Sequence, residues 1–286
     1  METWLIYAII LIFVSGLHNF TLKIAAEKNY DVSIINFYSY LIWIIFLWLY
    51  LIYDFKNVDF SGIYIILLLA FWNSLFFFLS MFSRVEAMKN VDTVIFFPLY
   101  KTFWPILVVF LSIFFFKETL EFKEIIWIIV WISVPLLLIT KSENKRQKNL
   151  SLWIILIIIT SILTAISSSS AKEIMIQNFD VLLFLLISSI FGLIFSIISY
   201  KFLKKRKKVY NKEWIFKLSI ISWILHLGSF VFFTLALKWN FAVVFTIGSF
   251  AILVPIILSI IFYKDHFDLK KWLVIALSII SIILFI

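Results

Sequence analysis

A lysine stands inside one of the most apolar stretches of the chain. Residues 92–118 read DTVIFFPLYKTFWPILVVFLSIFFFKE, and Lys101 lies between Pro98 and Pro105 within them. A bilayer span needs about 20 mostly apolar residues, and a cation inside a span is costly unless it faces a cavity or a partner. Lys101 is therefore a candidate for binding a ligand inside the membrane. The alternative is a structural lysine that donates hydrogen bonds to backbone carbonyls near the two prolines.

Polar side chains in other apolar stretches could join Lys101. His18 and Asn19 fall in the first of these stretches, and His226 falls in the eighth. A histidine can carry a coupling proton near neutral pH, but in a membrane it can equally form a hydrogen bond across a helix interface. No Asp or Glu lies deep inside any predicted span. This pattern disfavours the exchange of a proton for a cationic drug on a carboxylate, and it favours neutral or anionic ligands.

Hydrogen-bonding side chains beside aromatic rings complete the candidate site, because such mixtures are typical of pockets for small organic molecules. The members of this set are Asn36, Tyr40, Trp72, Asn73, Ser74, Tyr100, Trp104, Ser222 and Trp223. The alternative is that many of these rings face lipid or anchor helix ends at the interface, because 20% of the chain is aromatic. Thr164 and the run Ser167 to Ser170 are small, and they favour close, movable helix packing.

Catalytic, metal and nucleotide sites find little support in the sequence. With no Cys and three His, we expect no thiolate metal site, no metal or other cofactor and no catalytic residues. No G-x-x-x-x-G-K-[ST] sequence occurs, and five Gly leave little material for a phosphate-binding loop. A membrane-embedded lipid-modifying enzyme is the alternative from another class, but it would need a nucleophile paired with a base.

The composition is that of a polytopic membrane protein. Of the 286 residues, 64% are hydrophobic and 14% are charged. The apolar stretches far exceed the roughly ten-residue strands of a membrane barrel, so we predict an all-α membrane protein. Ten transmembrane helices are predicted, at residues 3–23, 32–53, 61–83, 92–116, 124–140, 151–171, 180–202, 214–237, 241–263 and 269–286.

The chain aligns with itself at an offset of 149 residues. Lys23 falls on Lys172, and Ser, Ala and Pro matches follow at nearly the same offset. Five helices in each half is an odd number, so the second half must enter the membrane from the opposite side. We therefore predict two inverted repeats, residues 1–149 and 150–286, which together form one domain. Chance alignment of helices rich in Phe and Ile is the alternative.

Charge predicts the orientation in the membrane. Of 25 Lys and Arg, nineteen fall in connectors opposite the termini and five in connectors on the side of the termini. The positive-inside rule then places both termini outside the cytoplasm of a bacterial-type inner membrane, with membrane lipids as partners. The basic run 204–208 is interpreted as a solvated loop and not as a nucleic-acid site. The N-terminal stretch lacks signal-peptide features, so we expect it to be a retained helix.

Ten helices in two inverted halves resemble the drug/metabolite transporter superfamily, in particular its EamA-like branch, over essentially the whole chain. Gly16, with a Lys at the helix end, is similar to the first-helix pattern of that family. Pro105 followed by Glu118 is similar to its fourth-helix pattern, and Pro255 with Asp265 repeats it in shorter form. The family usually keeps its termini in the cytoplasm, and in this respect the charge count predicts the reverse.

The resemblance implies a secondary carrier that works by alternating access through a central cavity between the repeats. We expect its substrate to be an amino acid or another carboxylate-bearing or neutral solute, moved across the plasma membrane by a monomer or homodimer. Export of amphipathic drugs is an alternative within the family, and a receptor or scaffold would not need inverted repeats. The gating or hinge candidates are Pro98, Pro105, Pro255 and Gly16.

Overall fold

The structure is a computed structural model that describes residues 3–28, 30–54, 58–91, 93–134, 150–203 and 212–263, together with Leu273 and Ala276. Every regular element in these ranges is a helix. Asp265, the basic run 204–208 and nearly all of the predicted tenth helix lie outside the described residues.

The helices follow the long apolar stretches of the chain. They are α1 (Thr3–Glu27), α2 (Val32–Tyr53), α3 (Ile63–Asn90), α4 (Thr93–Phe114), α5 (Phe122–Ser133), α6 (Leu150–Ile176), α7 (Val181–Leu203), α8 (Lys212–Ala236), α9 (Phe241–Ser249) and α10 (Leu253–Tyr263). A 3-10 turn, Phe250–Ile252, joins α9 to α10. Among the described residues, eight helical spans are long and apolar enough to cross a bilayer, counting α9 with the start of α10 as one. The prediction of an all-α membrane protein is confirmed for this part of the chain.

Side-chain caps and a left-handed glycine fix where several helices begin. The Asp31 carboxylate accepts the Ser33 N–H at 2.8 Å at the start of α2. The Asn240 side-chain oxygen accepts N–H groups from the first turn of α9. Gly62 precedes α3 with a φ of 65°, and a Cβ at this position would meet the Phe179 ring. The caps satisfy N–H groups that have no partner within their own helix.

The third helix is longer than the sequence predicts. The charge of Arg84 ends the predicted segment 61–83, but α3 continues to Asn90, and the Arg84 side chain is only 6% exposed. Lys23 and Lys172, which the charge count assigns to connectors, are likewise buried within α1 and α6. Those assignments are wrong for all three cations. Hydropathy could not separate a connector from a helix here, because buried polar partners compensate part of the charge.

The ninth predicted segment, residues 241–263, is not one continuous helix. α9 ends at Ser249, and α10 begins at Leu253 after the 3-10 turn. Pro255 is the third residue of α10. Proline lacks an N–H and is tolerated in the first turn of a helix, so its position suits a new helix start at Leu253.

Two glycines allow helices of the two halves to approach closely. A Cβ on Gly16 of α1 would lie 2.5 Å from the Cβ of Val254 and 2.8 Å from the carbonyl oxygen of Ala251. A Cβ on Gly192 of α7 would meet the Tyr40 ring of α2 at 2.4 Å. Since real Cβ atoms essentially never come this close, both positions require glycine at this packing distance.

Helices of the first half pack chiefly on helices of the second half. The principal neighbours are α1 with α8, α3 with α6 and α7, α2 with α7 and α8, and α4 with α6 and α9. α1 also contacts α9, the 3-10 turn and α10. The outward faces carry large exposed apolar side chains, as expected where lipid is the solvent. α1 to α4 and α6 to α9 therefore enclose a shared interior.

Candidate ligand-binding site

A cavity of about 130 Å³ lies between the two halves. α1 to α4 and α6 to α9 all contribute side chains to its lining. One water needs roughly 10–15 Å³ of such a cavity, so this volume accommodates a small organic molecule. Nine residues predicted from the sequence line it, namely His18, Asn19, Tyr40, Asn73, Ser74, Tyr100, Lys101, Trp104 and His226.

Lys101 reaches the cavity from α4 and is 1% exposed. Its ammonium lies 4.4 Å from the centroid of the Trp104 ring and 5.7 Å from that of Tyr100. Within the described part of the chain, this ammonium has no carboxylate or carbonyl partner. Cation–π contacts are worth about 0.5–2 kcal/mol, whereas desolvating an ion costs several kcal/mol. The geometry fits a lysine that faces a cavity better than one bonded to carbonyls near Pro98 and Pro105.

Arg84 is the charged lining residue that the sequence interpretation missed. Its Nη1 donates to Asn19 Oδ1 at 3.4 Å, and its Nη2 donates to the Tyr100 hydroxyl. Its guanidinium carbon lies 4.5 Å from the centroid of the Tyr100 ring. Its spacing could have revealed it, because Arg84 follows Phe77 by seven residues and Asn73 by eleven, on one face of a helix.

Buried hydrogen-bond donors at the cavity lack partners among the described residues. They are Asn19 Nδ2, Arg84 Nε and Trp104 Nε1, and the Ser188 hydroxyl on α7 is also unpaired. An unsatisfied buried donor costs about 1–3 kcal/mol. In the described chain no Asp or Glu lines the cavity, although two cations do. The arrangement can therefore accept a ligand that brings oxygen acceptors and negative charge.

The two histidines meet across the halves. The ring centroids of His18 and His226 are 4.9 Å apart. His226 also lies 4.7 Å from the Phe77 centroid and 5.2 Å from the Trp43 centroid. Rings on three sides account for the position of His226 by packing alone, so proton coupling stays a prediction.

Short polar side chains join α3 to α6 and α7 beside the cavity. Asn73 Nδ2 donates to the Ser167 carbonyl at 2.8 Å, and Ser167 Oγ donates to the Asn73 carbonyl at 3.1 Å. Ser74 Oγ donates to the Ser188 carbonyl at 2.5 Å. These side chains are small enough to let the backbones approach. The small polar run of α6 thus forms part of the interface between the halves.

Four predicted site residues lie outside the cavity lining. Trp72 is 42% exposed and stacks on Phe76 at 5.5 Å, on the outer face of α3. Asn36, Ser222 and Trp223 are buried but do not reach the cavity. Residues adjacent in a helix leave it about 100° apart, so Trp72 points away although the residue after it lines the cavity.

A second polar cluster lies where the chain leaves α4. Glu118 Oε1 is 2.7 Å from Lys172 Nζ on α6, and Glu118 Oε2 accepts from Ser112 Oγ at 2.5 Å and from the Phe241 N–H at 2.9 Å. Lys172 Nζ also donates to the Leu237 carbonyl at 3.4 Å. The cluster ties the end of α4, α6 and the start of α9 together through an ion pair whose lysine is buried.

The four gating or hinge candidates lie in α1, α4 and α10, and none of them is among the residues that line the cavity. Pro98 and Pro105 are buried inside α4, and each removes one backbone hydrogen bond from the helix. Pro105 leaves the carbonyl of Lys101 without its usual helical donor. Gly16 packs against the α9–α10 break, and Pro255 stands just after it. Their part in any movement stays a prediction.

Residues 151–286 match the family model of the EamA-like transporter family. Curated protein sequences give no match. A solved crystal structure of another protein is similar with a TM-score of 0.73 and 10% sequence identity, covering 98% of this chain and 95% of that one. At this identity the likeness shows the fold alone.

Proposed function

We propose, on the premise that residues 151–286 belong to the EamA-like transporter family of the drug/metabolite transporter superfamily, that this integral membrane protein is a secondary carrier of small organic molecules. The family resemblance predicted from the sequence is confirmed for those residues. The observation that carries the proposal is the cavity, which four helices of each half line. Carriers bind substrate between two repeats and expose that site to each side in turn.

The architecture we propose is ten helices in two inverted repeats, residues 1–149 and 150–286, forming one transport domain. The helix contacts support it. We take α1 to α4 as the counterparts of α6 to α9. Replacing each helix by its counterpart turns the helix contacts α1–α8, α2–α8 and α1–α9 into α6–α3, α7–α3 and α6–α4. All six contacts occur. α2 and α7 are counterparts of each other, as are α4 and α9, and both of these pairs are also in contact. A pseudo-two-fold axis through the cavity accounts for this pattern.

The substrates we propose are carboxylate-bearing or neutral metabolites of about the size of an amino acid. Arg84 and Lys101 beside aromatic rings support this class. The same two cations disfavour cationic amphipathic drugs, because like charges repel strongly where the dielectric constant is low. The driving force is a solute or ion gradient, since the sequence offers no phosphate-binding loop.

We place both termini outside the cytoplasm of a bacterial-type inner membrane. The count of loop charges no longer includes Lys23, Arg84 and Lys172, because these residues are buried in helices. The bias keeps its direction, since residues 141–148 and 201–217, which cover two connectors and the helix ends beside one of them, hold most of the remaining cations.

Counterflow in proteoliposomes tests the carrier. Vesicles containing purified protein are loaded with one unlabelled solute at a time from a panel of organic acids, amino acids and sugars, and uptake of the same radiolabelled solute is followed. We expect a transient overshoot for at least one solute, absent from protein-free vesicles. Tyr64→Phe, at an exposed position of α3, is the matched control and should exchange like the wild type. A folded protein that exchanges nothing in the panel would contradict the proposal.

A further inference from the structure

We propose that the ligand of the cavity is a small organic anion without an ammonium group, and that Arg84, Lys101 and the free N–H groups of Asn19 and Trp104 hold its oxyanion. The inference rests on the proposed function in taking the cavity as the transport site. It goes further by naming the ligand chemistry, which the family does not specify.

The first step of the argument is the position of the two cations around Tyr100. The Arg84 guanidinium carbon lies 4.5 Å from the centroid of the Tyr100 ring, and the Lys101 ammonium lies 5.7 Å from it. Tyr100 stacks on Trp104 at 5.5 Å, and Asn19 accepts from Arg84 at 3.4 Å. All four donor-bearing side chains therefore share one neighbourhood. It lies between α1, α3 and α4, within the first half of the chain.

The second step is the missing counter-charge. Both cations are almost completely buried, and no acidic side chain of the described chain lines the cavity. Ring faces and neutral hydrogen bonds offset only part of the free energy that desolvation costs two ions. A bound oxyanion would supply the remaining compensation, whereas a neutral ligand would leave both charges uncompensated.

The third step is the direction of the free hydrogen bonds. Arginine only donates, so the contact with Arg84 fixes the Asn19 oxygen and leaves its Nδ2 as a free donor. Arg84 Nε and Trp104 Nε1 are also free donors. A carboxylate or phosphate is an acceptor with several lone-pair sites, and it could take all of these bonds at once.

The same features exclude an ammonium on the ligand. An α-amino acid would bring a third positive charge into a site where the described residues offer no carboxylate to meet it. Phe77, Phe230, Phe233 and Phe245 line the rest of the cavity and suit an apolar body. We therefore expect an organic acid to bind better than the amino acid of the same skeleton.

Binding to the purified protein in detergent tests the inference with four matched probes. Phenylpropanoate carries only the acid, phenylalanine adds an ammonium, phenethylamine carries only the amine, and phenethyl phosphate replaces the carboxylate by a phosphate. We expect phenylpropanoate or phenethyl phosphate to raise the thermal midpoint, phenylalanine to bind at least tenfold more weakly, and phenethylamine to have no effect. Comparing the two anions distinguishes a carboxylate site from a phosphate site.

Variants assign the effect to the two cations. Lys101→Met and Arg84→Gln should each weaken binding of the anion at least tenfold. Lys101→Met should also leave the thermal midpoint of the ligand-free protein unchanged or higher, because it removes an uncompensated buried charge; a purely structural lysine would give a lower midpoint. Lys217→Met is the matched control, since Lys217 pairs with Glu213 at the surface and should not affect binding.

Three outcomes would overturn the inference: phenethylamine stabilising the protein as well as the acid does, both variants binding the anion like the wild type, or neither anion binding. The proposed function fails separately. If vesicles exchange neutral or cationic solutes but not anions, the carrier stands and the anion site falls. If the anions bind but no solute exchanges, the anion site stands and the carrier falls.

Discussion

Tyr100 joins the two cationic side chains of the cavity. Its hydroxyl accepts from Arg84 and donates to Thr164 Oγ1 of α6 at 3.2 Å, while its ring lies beside Lys101. Thr164 in turn bonds to Ser80 Oγ at 2.5 Å. A single hydroxyl therefore connects the guanidinium of the first half to a helix of the second half.

Removing that hydroxyl should destabilise the protein. Tyr100→Phe keeps the ring but leaves Arg84 Nη2 without its acceptor, so we expect the free energy of unfolding to fall by about 1–3 kcal/mol. The measurement is the thermal midpoint in detergent, followed by tryptophan fluorescence. Tyr64→Phe at an 85% exposed position is the control and should leave the midpoint unchanged. Equal midpoints for the two variants would show that the Tyr100 hydroxyl bond contributes nothing.

Hydropathy singles out Lys101 in the sequence but not Arg84, for a physical reason. Lys101 stands well inside an apolar run, where any charge needs an explanation. Arg84 is followed closely by Glu86 and Lys89, so hydropathy marks the region as a connector. Only the packed structure shows that Glu86 and Lys89 pair with each other at 2.7 Å, while Arg84 turns inward.

Among the elements, α4 connects most of the site to the second half. It carries three lining residues, Tyr100, Lys101 and Trp104, and it packs on α6 and α9. After its last turn, Glu118 holds α6 through Lys172 and caps the start of α9 at Phe241. The position of α4 is therefore fixed by polar contacts at that end and by the cavity network along its length.

Breaking this ion pair should cost more than breaking one at the surface. Glu118→Gln leaves the Lys172 ammonium buried without a counter-charge, and we expect a loss of about 3–5 kcal/mol in the free energy of unfolding. Glu213→Gln is the control, because its pair with Lys217 is more than half exposed and is worth about 0–1 kcal/mol.

A second variant separates the charge from the hydrogen bonds of Glu118. Glu118→Gln combined with Lys172→Met removes both charges, and it should recover part of the lost thermal midpoint in a double-mutant cycle. If the two substitutions were additive, the ion pair would not be the source of the stability.

The contact between α1 and the α9–α10 break gives a further prediction at this scale. Gly16→Ala should lower the thermal midpoint because its Cβ would overlap Val254, and Gly16→Leu should lower it further. Gly248→Ala is the stability control, since its Cβ would make ordinary contact with Leu11 at 3.5 Å. A Gly16→Ala midpoint equal to that of Gly248→Ala would show that α1 has room to move away.

The existence of the helices was predictable, but the break in the ninth segment was not. Long apolar runs leave no alternative to helix in a membrane. Pro98 and Pro105 lie inside an unbroken α4, whereas Pro255 follows a 3-10 turn. The same residue type gives different results because packing around each proline decides which backbone groups find new partners.

For the whole molecule, orientation is the most direct test of the charge argument. A reporter fused after Ile286 that is active only outside the cytoplasm should show activity, because the basic connectors favour the cytoplasmic side. The same reporter placed in the connector 204–211 is the control and should be silent. Activity at the connector and silence at the C-terminus would reverse the proposed topology.

The pairing of helices between the halves has a consequence for biogenesis. α1 and α3 find their main neighbours in α8 and α6, which the ribosome makes later. Until then the inserted first half carries Arg84, Asn19 and Lys101 without the α6 hydroxyls and packing that cover them in the finished protein. These polar groups of the nascent chain are therefore open to recognition by membrane quality control after α4 has been inserted and until α8 has been made.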